Sequence, residues 1–451
     1  MTIKYLCIAL GMSYGSLYAQ MYTLEDAIKT ALVNNQKQKI SAKERAIAKA
    51  KYQQSLAANY PSLDITLNAN RRDEALVDEV KYNFEMPPSL APFVGSSLPV
   101  DYTHTVMGRD TQSATAELQY ALYTGGKISS LQNQARLGME YAKEKTKLTE
   151  DEIVLNIKRY YGAYILSQHL EQLMSDTVAR METIYELTES FYKGDSLRVK
   201  KTDYLRTKMT LLNMKSVLAS FESANELAKS ALCFEMGIGL DDDIEVDPSS
   251  VTLIPLESSL EDYYEKVYIG NRLLHQNEIA LQVKSQKMKE QESGYLPTLG
   301  LYANARTLHN SEHGGIINST NNDSWNIGVA LSYNLFSGGL THYKVEAANF
   351  EKLKLQAQKA YLKSALTMKT KKAFLKAKAA LKQVKIMQEA LDAAKENSEL
   401  NFRAYQEEMV ETKDVLESQF MHSLTEAAYY KAHYNVVVQE AELNFLMGSS
   451  L

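Results

Sequence analysis

The sequence predicts an α+β membrane protein built on a two-fold internal repeat. Four transmembrane β-strands per chain and very long coiled-coil helices are expected. Three observations predict this. First, phrases recur at fixed displacements. Leu24-Glu25-Asp26 returns as Leu260-Glu261-Asp262, Asn35 as Asn271, Pro61 as Pro297 and Asn68-Ala69 as Asn304-Ala305, all 236 residues on (260 − 24). Further along, Gly125-Gly126 returns as Gly338-Gly339, Asp203 as Asp414 and Gly237 as Gly448. Internal repeats reveal architecture before any short motif does. Second, the eight prolines all lie at 61, 87, 88, 92, 99, 248, 255 and 297, and 340–447 contains neither Pro nor Gly. Because Pro and Gly are the strongest helix breakers, such stretches read as exceptionally long helices. Third, four segments of about ten residues alternate apolar and polar side chains with period two, the pattern of a barrel strand.

Residues 1–19 read as a signal peptide, with Lys4 ahead of the mostly apolar run Tyr5–Met12 and a cleavage point after Ala19. Cys7 falls inside that segment, so Cys233 is the only cysteine expected in the mature chain and no intrachain disulfide can form. The net charge of −5 excludes a basic nucleic-acid footprint. No apolar run approaches the ~18 residues a transmembrane helix needs.

The first repeat is expected over 20–237. Its strands are Leu63, Ile65, Leu67 and Ala69 against Asp64, Thr66, Asn68 and Asn70, then Ala114, Ala116, Leu118, Tyr120 and Leu122 against Thr115, Glu117, Gln119 and Ala121. A long surface loop, 72–111, is expected between them. Lys127–Lys193 follows as a helix of about 100 Å at 1.5 Å per residue. Leu166, Leu173, Val178, Met181, Ile184 and Phe191 trace a coiled-coil seam on it. The hairpin tip is expected near Gly194. Residues 238–259 join the copies as an equatorial segment. The second repeat spans 260–451. It has strands around Leu299–Ala305 and Trp325–Tyr333, a helix from Leu340 to about Gln406, a tip near Glu408 and a return helix to Met447.

Four strands cannot close a conducting barrel, and unpaired strand edges are costly in lipid. Cyclic association is the natural solution, and three chains would supply twelve strands.

These residues resemble the TolC family of bacterial outer-membrane efflux proteins. The likeness rests on the Leu-Glu-Asp starts, the prolines that open the first strand of each copy, and the strand ends Leu122-Tyr123-Thr124-Gly125-Gly126 and Leu335-Phe336-Ser337-Gly338-Gly339. Asp414-Val415-Leu416 and the Leu446-Met447-Gly448 close add to it. The resemblance implies a homotrimer with a shared twelve-stranded barrel in the outer-membrane lipid and a periplasmic α-barrel. It implies partners too: a periplasmic adaptor (membrane fusion) protein and an inner-membrane pump or transporter. It implies no cofactor. By position, the family's periplasmic gate acids carry onto Asp414 and Glu417, and its gate latch onto Asp203 and Tyr405. The latch Arg is replaced by Val410, and a tip Gly by Glu408. Gly194 marks the adaptor-docking tip, while Pro61, Gly125, Gly126, Pro297, Gly338 and Gly339 mark the strand–helix turns.

Enzymatic readings find no support, because the histidines are scattered and no nucleophile–base set is legible. His309 and His313 have a ligand-like spacing but no third partner. The rival reading is a periplasmic coiled-coil scaffold or adaptor without a pore. Such a protein would need the long helices but not the amphipathic strands.

Overall fold

The computed structural model describes residues 20–194, 199–252, 256, 259–310 and 323–449. The expected signal peptide therefore lies outside the described residues, as does part of the 238–259 segment. In chain order the elements are β1 (Gln20–Tyr22), α1 (Leu24–Asn34), α2 (Gln36–Leu56), β2 (Ser62–Arg71), β3 (Leu76–Glu85), α3 (Ala91–Val94), β4 (Ser97–Met107), β5 (Asp110–Tyr123), α4 (Lys127–Lys193) and α5 (Lys201–Met236). They continue with β6 (Ile244–Val246), α6 (Leu260–Gly270), α7 (Arg272–Glu292), β7 (Thr298–Asn310), β8 (Asp323–Ser332), α8 (Leu340–Gln406) and α9 (Thr412–Met447).

Matching helices have matching lengths: 11 residues for α1 and α6, 21 for α2 and α7, 67 for α4 and α8, and 36 for α5 and α9. The recurring phrases explain the shared boundaries. Leu-Glu-Asp is a helix start, in which the Thr23 or Ser259 hydroxyl accepts from the N–H of Asp26 or Asp262. Asn35 and Asn271 end those helices and also tie them to distant ones. The Nδ2 of Asn35 donates to the Glu235 carbonyl at 2.6 Å, and that of Asn271 to the Leu446 carbonyl at 2.9 Å. Gly237 and Gly448 terminate α5 and α9 in the left-handed conformation.

The chain forms two compact units, and each draws on both halves of the sequence. The first comprises Met1–Ala46, Tyr141–Glu278 and Ala357–Leu451. Its packing is helix on helix. One core gathers Ala27, Ile153, Ile157, Tyr161, Leu232, Cys233 and Met236 beside Ile244 and Val246 of β6, which pairs in parallel with β1. Cys233 is a buried free thiol. A second core joins Val178, Met181 and Ile184 of the seam to Leu211, Met214, Tyr405, Val415 and Leu416. A third rests on Leu366, Ala373 and Ala377 of α8 against Val267, Leu443 and Leu446.

The second unit comprises Ile47–Glu140 and Ile279–Gln356. Its main sheet is four-stranded and antiparallel, in the order β2-β5-β7-β8. Here the structure corrects one expectation. The segment 72–111 is not an irregular loop, because it folds back as the two-stranded ribbon β3–β4. Its prolines 87, 88 and 92 cluster at the turn, where they disturb no ladder. Alternation of Val80, Tyr82 and Phe84 on β3 opposes Tyr102, Val100 and Leu98 on β4. Strand β7 likewise runs on to Asn310, beyond the expected strand around Leu299–Ala305.

Candidate functional site

Register makes the main sheet two-faced. On one face the rows read Ile65–Ala116–Ala305–Trp325 and Leu63–Leu118–Ala303–Ile327, continued by Tyr120–Leu301–Val329. On the other they read Asp64–Glu117–Asn304–Asn326 and Thr66–Thr115–Arg306–Ser324. The apolar side chains are bare: Ile65 is 70% exposed, Leu67 75%, Trp325 77% and Leu331 68%. Soluble chains rarely leave so large an apolar patch uncovered. Neither outer edge of the sheet, β2 or β8, is paired among the described residues. Among those residues no helix is long and apolar enough to cross a membrane.

The sheet passes into helix through the expected turn residues. Pro61 and Pro297 immediately precede β2 and β7, each after a single 3₁₀ turn. A fixed φ and a missing N–H suit a first strand position. Gly125 and Gly126 stand at φ +62° and +87°, and Gly338 and Gly339 at +60° and +81°. Only Gly takes these angles without a steric penalty. At Gly125 the neighbours add a second requirement, because a Cβ would lie 2.8 Å from Leu296 Cβ and 3.0 Å from the Ser293 carbonyl.

The expected gate and latch residues lie where α4 gives way to α5 and α8 to α9. Asp203 and Asp414 hold equivalent places, each three residues past its helix cap. Their carboxylates accept from the N–H of Lys200 at 3.0 Å and of Glu411 at 3.3 Å. A carboxylate there satisfies an orphan donor and meets the positive helix end, which explains an Asp at both positions. Asp414 and Glu417 are both exposed on α9. Glu417 shares a groove of about 430 Å³ with Arg206, Lys413 and Phe420.

The expected contact between Asp203 and Tyr405 is not made within the chain. Tyr405 is 2% exposed, and its hydroxyl bonds Thr188 Oγ1 at 2.8 Å and Thr412 Oγ1 at 3.1 Å. Asp203 instead sits 3.9 Å from Arg206 on its own helix. The Tyr405 ring meets Phe191 edge-on at 5.8 Å. Tyr405 thus ties α4 to the junction of α8 and α9. Val410, in place of the latch Arg, packs on the same apolar core. Thr188 and Thr412 were not singled out by sequence; their spacing from Tyr405 is uninformative until the helices pack.

The second tip turns on Glu408, the sole non-glycine residue with positive φ (54°) among those described. It occupies the conformation of the Gly that the resemblance calls for, held by Met409 N–H donating to the Ala404 carbonyl at 2.8 Å. At the first tip Gly194 closes α4 with an N–H bond to the Ser190 carbonyl, and residues 195–198 lie outside the described residues. Among the described residues no group of three or more His, Cys, Asp or Glu side chains could hold a metal. His313 lies outside them.

A family model described as outer membrane efflux protein matches residues 27–194 and 264–449. Among solved structures, the chain is similar to the outer membrane protein VceC of Vibrio cholerae, at 16% identity and TM-score 0.72, covering 94% of this chain and 96% of that one. It is similar to the CmeC outer membrane channel of Campylobacter jejuni at 14% identity and TM-score 0.76, covering 95% and 86%. The open-state MtrE outer membrane channel of Neisseria gonorrhoeae aligns at 14% identity and TM-score 0.73, covering 95% and 89%. No curated protein matches the chain. At such identities the structural likeness shows the fold.

Proposed function

The chain belongs to the outer membrane efflux protein family, and on that premise we propose that it is the exit duct of a tripartite efflux pump or type I secretion system. The observation that carries this reading is the two-faced sheet with both edges unpaired. In hydrocarbon every backbone N–H and C=O must find a partner, so a four-stranded sheet has to close with other copies. A homotrimer closes it at twelve strands, with β8 of one chain against β2 of the next. Ile65, Trp325 and Ile327 then face lipid, and Asp64, Glu117 and Asn304 face a wet lumen. The helices form the periplasmic α-barrel. The duct is passive, and the energy is the pump's.

Gating follows from the tips. Three copies of Asp414 and Glu417 around the axis form an acidic ring that favours cations and repels anions. Opening is iris-like, with α8 and α9 swinging out. The latch is Tyr405 held by Thr188 and Thr412, and Asp203 serves as a helix cap. The adaptor docks at the tips near Gly194 and Glu408. The mature protein resides in the outer membrane after cleavage of residues 1–19.

Planar-bilayer conductance of the detergent-purified protein tests this. Asp414→Asn/Glu417→Gln removes charge while keeping size and hydrogen bonding at the cap. A cation-selective wild-type pore that loses selectivity in the double variant supports both pore and ring. A pore indifferent to the variants removes the ring. Protein that extracts without detergent and never conducts would restore the scaffold reading.

A further inference from the structure

Helix α8 carries a charge pattern that no step of the duct mechanism uses. From 352 to 388 it holds eleven lysines, no arginine and no Asp or Glu, in a chain whose net charge is −5. The equivalent stretch of α4, 139–175, mixes five Lys or Arg with six Asp or Glu. Over 67 residues each, α8 has 14 basic and 6 acidic side chains (14 − 6 = +8), whereas α4 has 9 and 10 (9 − 10 = −1). The two helices share length and place in the repeat, so the fold they share does not require the asymmetry.

Packing fixes where these lysines stand. Leu366, Thr370, Ala373, Ala377 and Ala380 are buried, and three of them form a core with Val267, Leu443 and Leu446. At about 100° per residue, Lys371, Lys372, Lys378 and Lys382 fall on the far side of the helix from that seam. Lys369, Lys376 and Lys385 flank them, and all seven are exposed. They cover about 24 Å of helix at 1.5 Å per residue. Nearer the equator Lys359 pairs with Glu278 at 2.7 Å, and Lys363 lies over the Tyr268 ring at 4.3 Å. The seven from Lys369 to Lys385 make no ion pair among the described residues. Lys369–Lys372, Lys372–Lys376, Lys378–Lys382 and Lys382–Lys385 stand three or four apart, where like charges destabilise a helix. An external polyanion would relieve that repulsion.

Other copies of the chain are poor candidates for that role. Helix α5 has five basic and four acidic residues, and α4 is close to neutral. Helix α9 has two basic and five acidic residues, but its Leu443 and Leu446 already occupy the seam of α8. The use of lysine alone narrows the partner further. Arginine's planar fork suits one bidentate anion, whereas lysine's hydrated point charge on a flexible stem suits diffuse attraction to a mobile chain of carboxylates. We propose that this face of α8 binds the acidic peptides of the bacterial cell wall, whose free carboxylates hang from the polymer that a periplasmic stem has to cross. For its compartment this anchor rests on the duct reading. It would hold the stem laterally without touching the barrel or the helix tips.

Co-sedimentation of the detergent-purified full chain with insoluble cell-wall sacculi tests the anchor. The wild type is expected to pellet at low ionic strength and to be released at about 1 M salt, where the Debye length falls to about 3 Å. Lys371→Gln/Lys378→Gln/Lys382→Gln/Lys385→Gln should weaken retention roughly tenfold, each exposed pair being worth about a factor of two. Lys39→Gln/Lys43→Gln/Lys49→Gln/Lys51→Gln removes the same charge from exposed positions of α2 and should leave retention unchanged. Gln matches Lys in helix propensity, so both variants keep the fold. Sacculi whose carboxylates have been amidated should retain nothing. Wild type that stays in the supernatant overturns the proposal, as does equal loss in both variants, no loss in either, or retention by amidated sacculi. Planar-bilayer conductance of the same preparation keeps the anchor and the duct apart. Protein that conducts but does not pellet sinks the anchor alone, whereas protein that pellets but never conducts keeps the anchor and sinks the duct.

Discussion

Tyr405→Phe tests how the second helical hairpin is held to the first. The change deletes one hydroxyl and leaves the ring against Phe191. Two hydrogen bonds go with it, at 2.8 Å to Thr188 and 3.1 Å to Thr412. Thr188 retains its bond to the Ile184 carbonyl at 2.7 Å, so the stranded group is chiefly Thr412, which is 4% exposed. A buried neutral hydrogen bond contributes about 0.5–1.5 kcal/mol net, so losing two should cost roughly 1–3 kcal/mol. If those bonds form only in the closed duct, the closed state loses that amount relative to the open one. At 1.4 kcal/mol per factor of ten, leak should rise about tenfold. Two assays read it: leak conductance in planar bilayers and the denaturant midpoint of the purified protein. Thr188→Val should be non-additive with Tyr405→Phe, with a coupling of about 1 kcal/mol. Asp203→Asn should leave leak unchanged. An unshifted midpoint with unchanged leak in Tyr405→Phe would refute the reasoning outright. A lowered midpoint with unchanged leak would keep the packing role and remove the latch.

Three further outcomes are expected. Ile327→Lys puts a charge on the bare apolar face and should cost about 2–4 kcal/mol at membrane mid-depth, whereas Asn326→Lys on the polar face should be tolerated; yield of membrane-inserted protein separates them. Gly125→Ala and Gly338→Ala impose the same left-handed angle, worth about 1–2 kcal/mol, but only the first meets Leu296 and Ser293, adding about 1–3 kcal/mol of overpacking. Equal melting temperatures for the two would contradict this. His422 is 6% exposed, and burial pushes its imidazole below the usual range against the pull of Glu426, with Arg180 and Lys395 of the facing helices acting in the same direction as burial. The unfolded chain therefore binds the proton more readily, so stability is full above the ordinary histidine pKa of about 6.5 and declines as pH falls below it. His422→Gln should flatten that decline between neutral and mildly acidic pH in thermal melts, and an unchanged slope would remove His422 from the account.

Much of the architecture is local, and local chemistry is legible in one dimension. Without Pro or Gly to interrupt it, 340–406 has no reason to stop being a helix, and α8 begins directly after Gly338-Gly339. Period-two alternation decided which residues of β2, β5, β7 and β8 share a face, since a strand's side chains must alternate. The glycine pairs were legible as strand–helix turns, whereas the positive φ at Glu408 emerged only from the structure. Tertiary structure alone decided the rest. The ribbon β3–β4 was hidden because its prolines read as loop until the strands were seen to close around them. Asp203 was expected to latch the distant Tyr405 and Asp414 to line the gate, yet each carboxylate turns to the nearest orphan N–H, a bond that needs no long-range search. Tyr405 meets Thr188 across 217 residues only because four long helices pack in one particular register. Hydrogen bonds between such positions carry no sequence period, so only the packed chain could place them.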